Sequence, residues 1–360
     1  MARNLIICFD GTWNTPDNDG DIGGNTNTNV RLFFEACSKT AQDGKTQLKW
    51  YDKGVGTRWY NRLSGGMFGV GLSKNIREGY TWLVDNYEKE DEIYIVGFSR
   101  GAYTARSLVG MIRNCGIVKR ASGAKRQRDE IIGEAYQLYR ARDDGADTPS
   151  AKMFRSKYSL HTKIKFIGIW DTVGALGIPI SSFEWFNRKY YEFHDTELSS
   201  IVEHAYHALA TDEHRENYAA TLWDPKEKPN QVIEQKWFAG AHANVGGGYS
   251  THALSNVALE WLMKKAQDSG LGFEPDSIPA VTKRNFKGKA IDSYEEFLGG
   301  LYRITRDRYY RPIGKTPNGM EGVHEAVTER YKSDPTYRPK NPVGPHVTGL
   351  DDPLLGRIRA

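Results

Sequence analysis

A chain of 360 residues and 40.7 kDa can bury one large core, and its 39% hydrophobic and 26% charged residues exclude an intrinsically disordered protein. Its net charge of +4, with both signs mixed along the chain, is too weak a bias to indicate a nucleic-acid partner; the basic stretch Lys119 to Arg128 reads as a solvated loop and helix start. Cys8, Cys37 and Cys115 lack CxxC spacing, which argues against a disulfide framework or zinc site and favours a reducing compartment.

In chain order, Asn4 to Phe9 is an apolar run ended by Asp10-Gly11-Thr12 and predicts a buried strand followed by a loop. That strand begins almost at Met1, so no signal peptide is expected. Asn29 to Lys39 has helical spacing, and Gln47 to Tyr51 is a second strand. Gly54 to Gly71, rich in Gly, Arg and aromatics, reads as a flexible surface loop, because its glycines lack dinucleotide-binding context. Ile76 to Tyr87 is a helix, Glu92 to Val96 a strand, Gly101 to Asn114 a helix and Asp129 to Arg142 another. Lys163 to Trp170 is the next strand, Leu198 to Ala210 a helix, Gln235 to Ala239 a strand and Leu254 to Gln267 a helix. Alternating strands and helices indicate a mainly parallel sheet covered on both faces. From about residue 271 to 360, Pro and Gly thicken and a loop-rich C-terminal extension of the single domain is expected. No run of about 18 apolar residues occurs, so no transmembrane helix is expected and any membrane contact would be peripheral.

Gly97-Phe98-Ser99-Arg100-Gly101 matches G-x-S-x-G between a strand and a helix that opens with small residues. That context suits a nucleophile, because the serine must sit on a sharp turn with its hydroxyl above the sheet, and flanking Gly97 and Gly101 let the backbone pass without Cβ clashes. A serine needs a base, itself oriented by an acid. Asp171 ends a strand and is the candidate acid. His242 stands past the strand Trp237 to Ala239 and is the candidate base, with His324 as its rival. His204, His207 and His214 read as packing or surface residues. Two N–H donors are needed for the oxyanion: one from Arg100, the other from the Gly11-Thr12 loop, with Asp10 supporting it. No cofactor or metal is needed for this chemistry.

Phe9-Asp-Gly-Thr-Trp-Asn14, Gly97 to Ala102, Trp170-Asp-Thr-Val-Gly174, Ala210-Thr-Asp-Glu-His-Arg215 and Trp237 to Tyr249 occur in one order. This series resembles the catalytic-domain family of the type VI secretion phospholipase effectors (first lipase-effector class), with relatives among uncharacterised bacterial and fungal hydrolases. The resemblance runs from near residue 4 to about residue 340. It implies an α/β-hydrolase fold, a triad of Ser99, Asp171 and His242, and esterase or phospholipase A activity on ester or lipid substrates. Many relatives carry Asp where this chain has Asn244, which favours Asp171 as the acid. Cytoplasmic residence is the expectation, with export by a signal-independent secretion system left open.

The aromatic segment Phe183, Trp185, Phe186, Tyr190, Tyr191 and Phe193, within an insertion at 175–197, suggests a lid over an acyl pocket, together with Met67 and Phe68 in the 54–71 stretch. Two other readings stay open: a metal-dependent phosphohydrolase using Asp10, Asp171 and His242, and a non-catalytic binding protein on a hydrolase fold.

Overall fold

The computed structural model describes residues 2–11, 27–54, 65–120, 125–141, 145–173, 198–223, 230–296, 302–317 and 320–348. Eight strands form one sheet: β1 (Asn4–Phe9), β2 (Gln47–Asp52), β3 (Glu92–Phe98), β6 (Ile164–Trp170), β7 (Val202–Ala210), β8 (Val232–Phe238), β9 (Glu321–Val323) and β10 (Val347–Thr348). Their order across the sheet is β10-β9-β8-β7-β6-β3-β1-β2 and every pairing is parallel. Two short strands, β4 (Ile117–Val118) and β5 (Ser159–Leu160), form a separate antiparallel ribbon.

Among the described residues the helices are α1 (Asn29–Ala36), α2 (Gly65–Asn86), α3 (Arg100–Cys115), α4 (Lys125–Arg140), α5 (Pro149–Tyr158), α6 (His242–Gly246), α7 (Ala253–Asp268) and α8 (Glu325–Ser333), besides single helical turns. Alternation along the central strands sends their side chains to two cores. Leu5, Ile7 and Phe9 join Ile93 and Ile95 beneath α2 and α3, whereas Ile6 and Cys8 join Tyr94, Val96 and Phe98 beneath α1 and α7. Both faces are thus covered, in the α/β-hydrolase architecture that the sequence implied. Among the described residues no helix is long and apolar enough to cross a membrane.

From β1 the chain moves to β2 on one side, then returns past β1 to β3 on the other. Where strand order reverses, a crevice opens at the carboxyl ends of the strands. Asp10-Gly11 and Ser99 lie at that point.

Several elements differ from expectation. Leu198 to Ala210 is not a helix: Val202 to Ala210 forms the parallel strand β7. It is buried on both faces, so it lacks the polar alternation that marks an exposed strand. The glycine-rich 65–71 stretch is the first turns of α2 and not a loop, tertiary context having overridden poor helix propensity. Helix α5 was not anticipated, although Thr148 caps it by accepting from the Ala151 N–H and Pro149 sits in its first turn.

Candidate active site

Ser99 links β3 to α3 with φ 57° and ψ −120°, a conformation that L-residues other than glycine seldom adopt. The turn closes only because of its glycines. A Cβ on Gly97 would sit 2.6 Å from the Gly101 carbonyl oxygen, and one on Gly101 would sit 2.2 Å from that of Phe9. The Ser99 side chain makes no capping bond to α3. Its Oγ instead lies 2.8 Å from His242 Nε2.

Sheet register carries the other groups to the same place. The Ser99 N–H donates to Trp170 O at 3.0 Å, the Asp171 N–H to Ala208 O at 2.7 Å, and the Thr211 N–H to Phe238 O at 2.9 Å. The carboxyl ends of β3, β6, β7 and β8 therefore stand in a row. Asp171, itself at φ 39°, turns its carboxylate toward α6, where His242 Nδ1 lies 2.5 Å from Oδ2. An ionised Asp171 requires Nδ1–H as the donor, which leaves Nε2 to accept from the Ser99 hydroxyl. The imidazole is wedged between the Phe98 ring, 4.6 Å away, and the Tyr218 ring, 5.2 Å away and edge-on. Ser99 and His242 are each 7% exposed and Asp171 is fully buried.

Burial alone would raise the Asp171 carboxyl, but the Arg311 charge, then the bonds from His242 and Arg311, outweigh it and hold the group well below the usual carboxylate range. The Asp171 oxygens also accept from the Ala210 N–H at 2.9 Å and from both Nη atoms of Arg311. Glu213 holds His242 from the other side. It accepts from the His242 N–H at 3.3 Å, from Ser293 Oγ at 2.8 Å, and from Arg215 at 2.7 and 2.8 Å. Its own ionisation, opposed by burial, is held at about 2 chiefly by the Arg215 charge.

The remaining candidates fall into place unequally. Arg100 opens α3, so its N–H stands at the positive end of that helix beside Ser99. A Cβ on Gly11 would lie 3.5 Å from Ser99 Cβ, so Gly11 borders Ser99, but its N–H donates to Asp10 Oδ1 at 2.6 Å. Thr12 lies outside the described residues, as do most of the 54–64 stretch and the aromatic 175–197 segment. Asp10 is buried and also accepts from Thr28 Oγ1 at 2.6 Å and from Tyr51 OH; desolvation, only partly offset by these bonds, raises it to about 6. Asn244 bonds backbone and not the His242 ring: its Oδ1 accepts from the Ala241 and Ile291 N–H groups at 3.2 and 3.0 Å, pinning α6 to the loop after α7. His324 is away from Ser99, capping α8 through Nδ1 and stacked 4.5 Å from the Phe238 ring.

Some buried groups went unrecognised in the sequence. Arg311 is the clearest. His207, read as packing or surface on a helix, is fully buried on β7, where Nε2 accepts from the Thr172 N–H at 3.1 Å and so steadies the turn that carries Asp171. Among the described residues no group of three His, Cys, Asp or Glu side chains is arranged to hold a metal ion.

A doubly wound sheet with a strained serine turn, and a histidine and a carboxylate at the ends of later strands, defines a protein of the α/β-hydrolase class. More particularly, the chain belongs to the family described as T6SS, phospholipase effector Tle1-like, catalytic domain, whose model matches residues 3–265. It is similar to an uncharacterised protein of Saccharomyces cerevisiae, 27% identical over 248 residues, which is 62% of this chain and 33% of that protein. The chain thus spans about a third of the length of this curated relative. Similar solved structures include an uncharacterised protein from Pseudomonas aeruginosa (TM-score 0.41, 17% identity, 85% of this chain and 51% of that one). Another is the Tle1 effector bound to the VgrG spike of the type 6 secretion system (TM-score 0.37, 18% identity, 69% of this chain and 52% of that one).

Proposed function

We propose that this chain is a serine hydrolase that cleaves carboxylic esters of lipids through an acyl-enzyme, with Ser99 as nucleophile, His242 as general base and acid, and Asp171 as the orienting carboxylate. The observation that carries the reading is the continuous relay from Ser99 Oγ to His242 Nε2 at 2.8 Å and from His242 Nδ1 to Asp171 Oδ2 at 2.5 Å. His242 takes the Ser99 proton as Oγ bonds to the acyl carbon, and the charge on the former carbonyl oxygen is met by the Arg100 N–H at the start of α3. Collapse breaks the bond to the alcohol, which leaves with the proton from His242. Water, deprotonated by the same histidine, then releases the fatty acid and restores Ser99. Gly11, lacking a Cβ, leaves room for the acyl group against Ser99. The family's description as phospholipase effectors supports a lipid substrate.

The test is fatty-acid release from phosphatidylcholine vesicles and hydrolysis of p-nitrophenyl butyrate by the wild type and by Ser99→Ala. Loss of both activities in a variant with an unchanged melting temperature is expected. Full turnover by folded Ser99→Ala would remove the reading. Hydrolysis of the soluble ester alone would narrow it to an esterase.

A further inference from the structure

Arg311 comes from the loop-rich region beyond residue 265, where the family match ends. Its guanidinium, 1% exposed, meets the fully buried Asp171 as a fork: Nη1 donates to Oδ1 at 2.6 Å and Nη2 to Oδ2 at 3.0 Å. Further bonds fix the guanidinium, since Nη1 also donates to Ala210 O at 2.8 Å and Nη2 to Tyr218 O. The backbone behind it is tied down by Asn341, whose Nδ2 donates to Arg311 O at 2.9 Å and to Thr211 O at 3.0 Å. With both carboxylate oxygens engaged by the fork, the plane of Asp171 is set and Oδ2 faces His242 Nδ1.

A carboxylate without exposed surface is unstable as an anion unless a countercharge lies beside it. His242 cannot be that countercharge at rest, because it must be neutral to accept the Ser99 proton. Arg311 is charged at every working pH. We propose that Arg311 is a positioning residue for the reaction, holding Asp171 as an anion turned toward His242 Nδ1, so that the C-terminal segment is part of the catalytic unit. This rests on the serine-hydrolase reading above.

Among the described residues, the other titratable and charged groups around the pair come from β7, its following turn and α3. His207, lowered to about 3 by burial and then by Arg106, stays neutral at working pH. Glu213 stays ionised against Arg215, and Tyr218 faces His242 through its ring. The acid limb of a pH–rate profile therefore belongs to the Asp171–His242 pair.

The experiment is kcat and KM for p-nitrophenyl butyrate from pH 5 to 9 in the wild type, Ser99→Ala, Arg311→Gln and Arg311→Lys. Arg311→Gln should lower kcat by at least about tenfold at pH 7, change KM by less than about threefold, and move the acid limb of kcat/KM up by about one pH unit or more. The sign follows from the charge: without the guanidinium the buried carboxylate loses its countercharge and Asp171 protonates at higher pH. Arg311→Lys keeps the charge but loses the fork, so its kcat should fall while the limb stays within about half a pH unit of wild type. A merely structural arginine would leave the limb unmoved in folded Arg311→Gln, and that result would overturn the proposal. Should Arg311→Gln fail to fold alone, the double variant with Asp171→Asn removes both buried charges. Added to Asp171→Asn, it should change kcat by less than about twofold, and a full further loss would overturn the proposal. Wild-type turnover by Ser99→Ala would instead remove the hydrolase reading, whereas an inactive Ser99→Ala beside an unmoved limb removes only the role of Arg311.

Discussion

At the scale of single residues, two carboxylates at the ends of β1 and β6, on either side of β3, behave oppositely because, among the described residues, only Asp171 has a cation beside it. Asp171 has Arg311 and is held low, whereas Asp10 has, among the described residues, hydroxyl and amide donors and is raised to about 6. Asp171→Asn should therefore cut turnover by orders of magnitude, about 10⁴ in the protease precedent, since an amide cannot stabilise the imidazolium. Asn244→Ala should cost far less activity, because that amide bonds only backbone. Kinetics of the two variants check this, and a silent Asp171→Asn beside an inactive Asn244→Ala would reverse the assignment. For Asp10 the folded value lies above the unfolded one of about 3.9, so its contribution to stability is complete below that pH and lost as pH rises through about 6. The melting temperature of Asp10→Asn minus that of the wild type should then climb between pH 4 and 7. A difference that is flat across this range would contradict the raised carboxyl.

At the scale of elements, the serine turn is a packing solution as much as a chemical one. Gly101 brings α3 against the carboxyl end of β1, and both atoms nearest its missing Cβ are backbone oxygens that cannot swing aside. Gly101→Ala should destabilise by at least about 2 kcal/mol, seen as a melting temperature several degrees lower, and should misplace Ser99. An unchanged melting temperature would show that β1 and α3 can part cheaply. The turn was legible in the sequence because its chemistry and its sterics both demand glycine. Strand β7 was not, since Val202, Ala205, Tyr206 and Leu209 fit a helical stripe as well as a doubly buried strand, and alanines fit both. Helix α5 carried a readable Thr-Pro start that its polar interior obscured.

At the scale of the whole molecule, the central strands other than β7, the helices on both faces and the strand-end places of Ser99, Asp171 and His242 were legible, because parallel α/β folds bring the residues that follow their strands to one edge. The C-terminal region was not. It supplies β9, β10 and the buried Asn341, and it sends Arg311 to a partner 140 residues earlier. A lone arginine in a loop has no periodicity or motif to mark it, and only the folded sheet reveals its mate. The fold thus gathers four buried polar groups from regions far apart in sequence around one hydroxyl. Reactivity of that hydroxyl is the most direct test. Treated with a fluorophosphonate, the folded protein should gain one covalent adduct, mapped by mass spectrometry to the peptide carrying Ser99. The adduct should be absent in Ser99→Ala and strongly slowed in His242→Ala. An active, folded protein whose Ser99 stays unmodified, or that labels equally without His242, would contradict the serine mechanism.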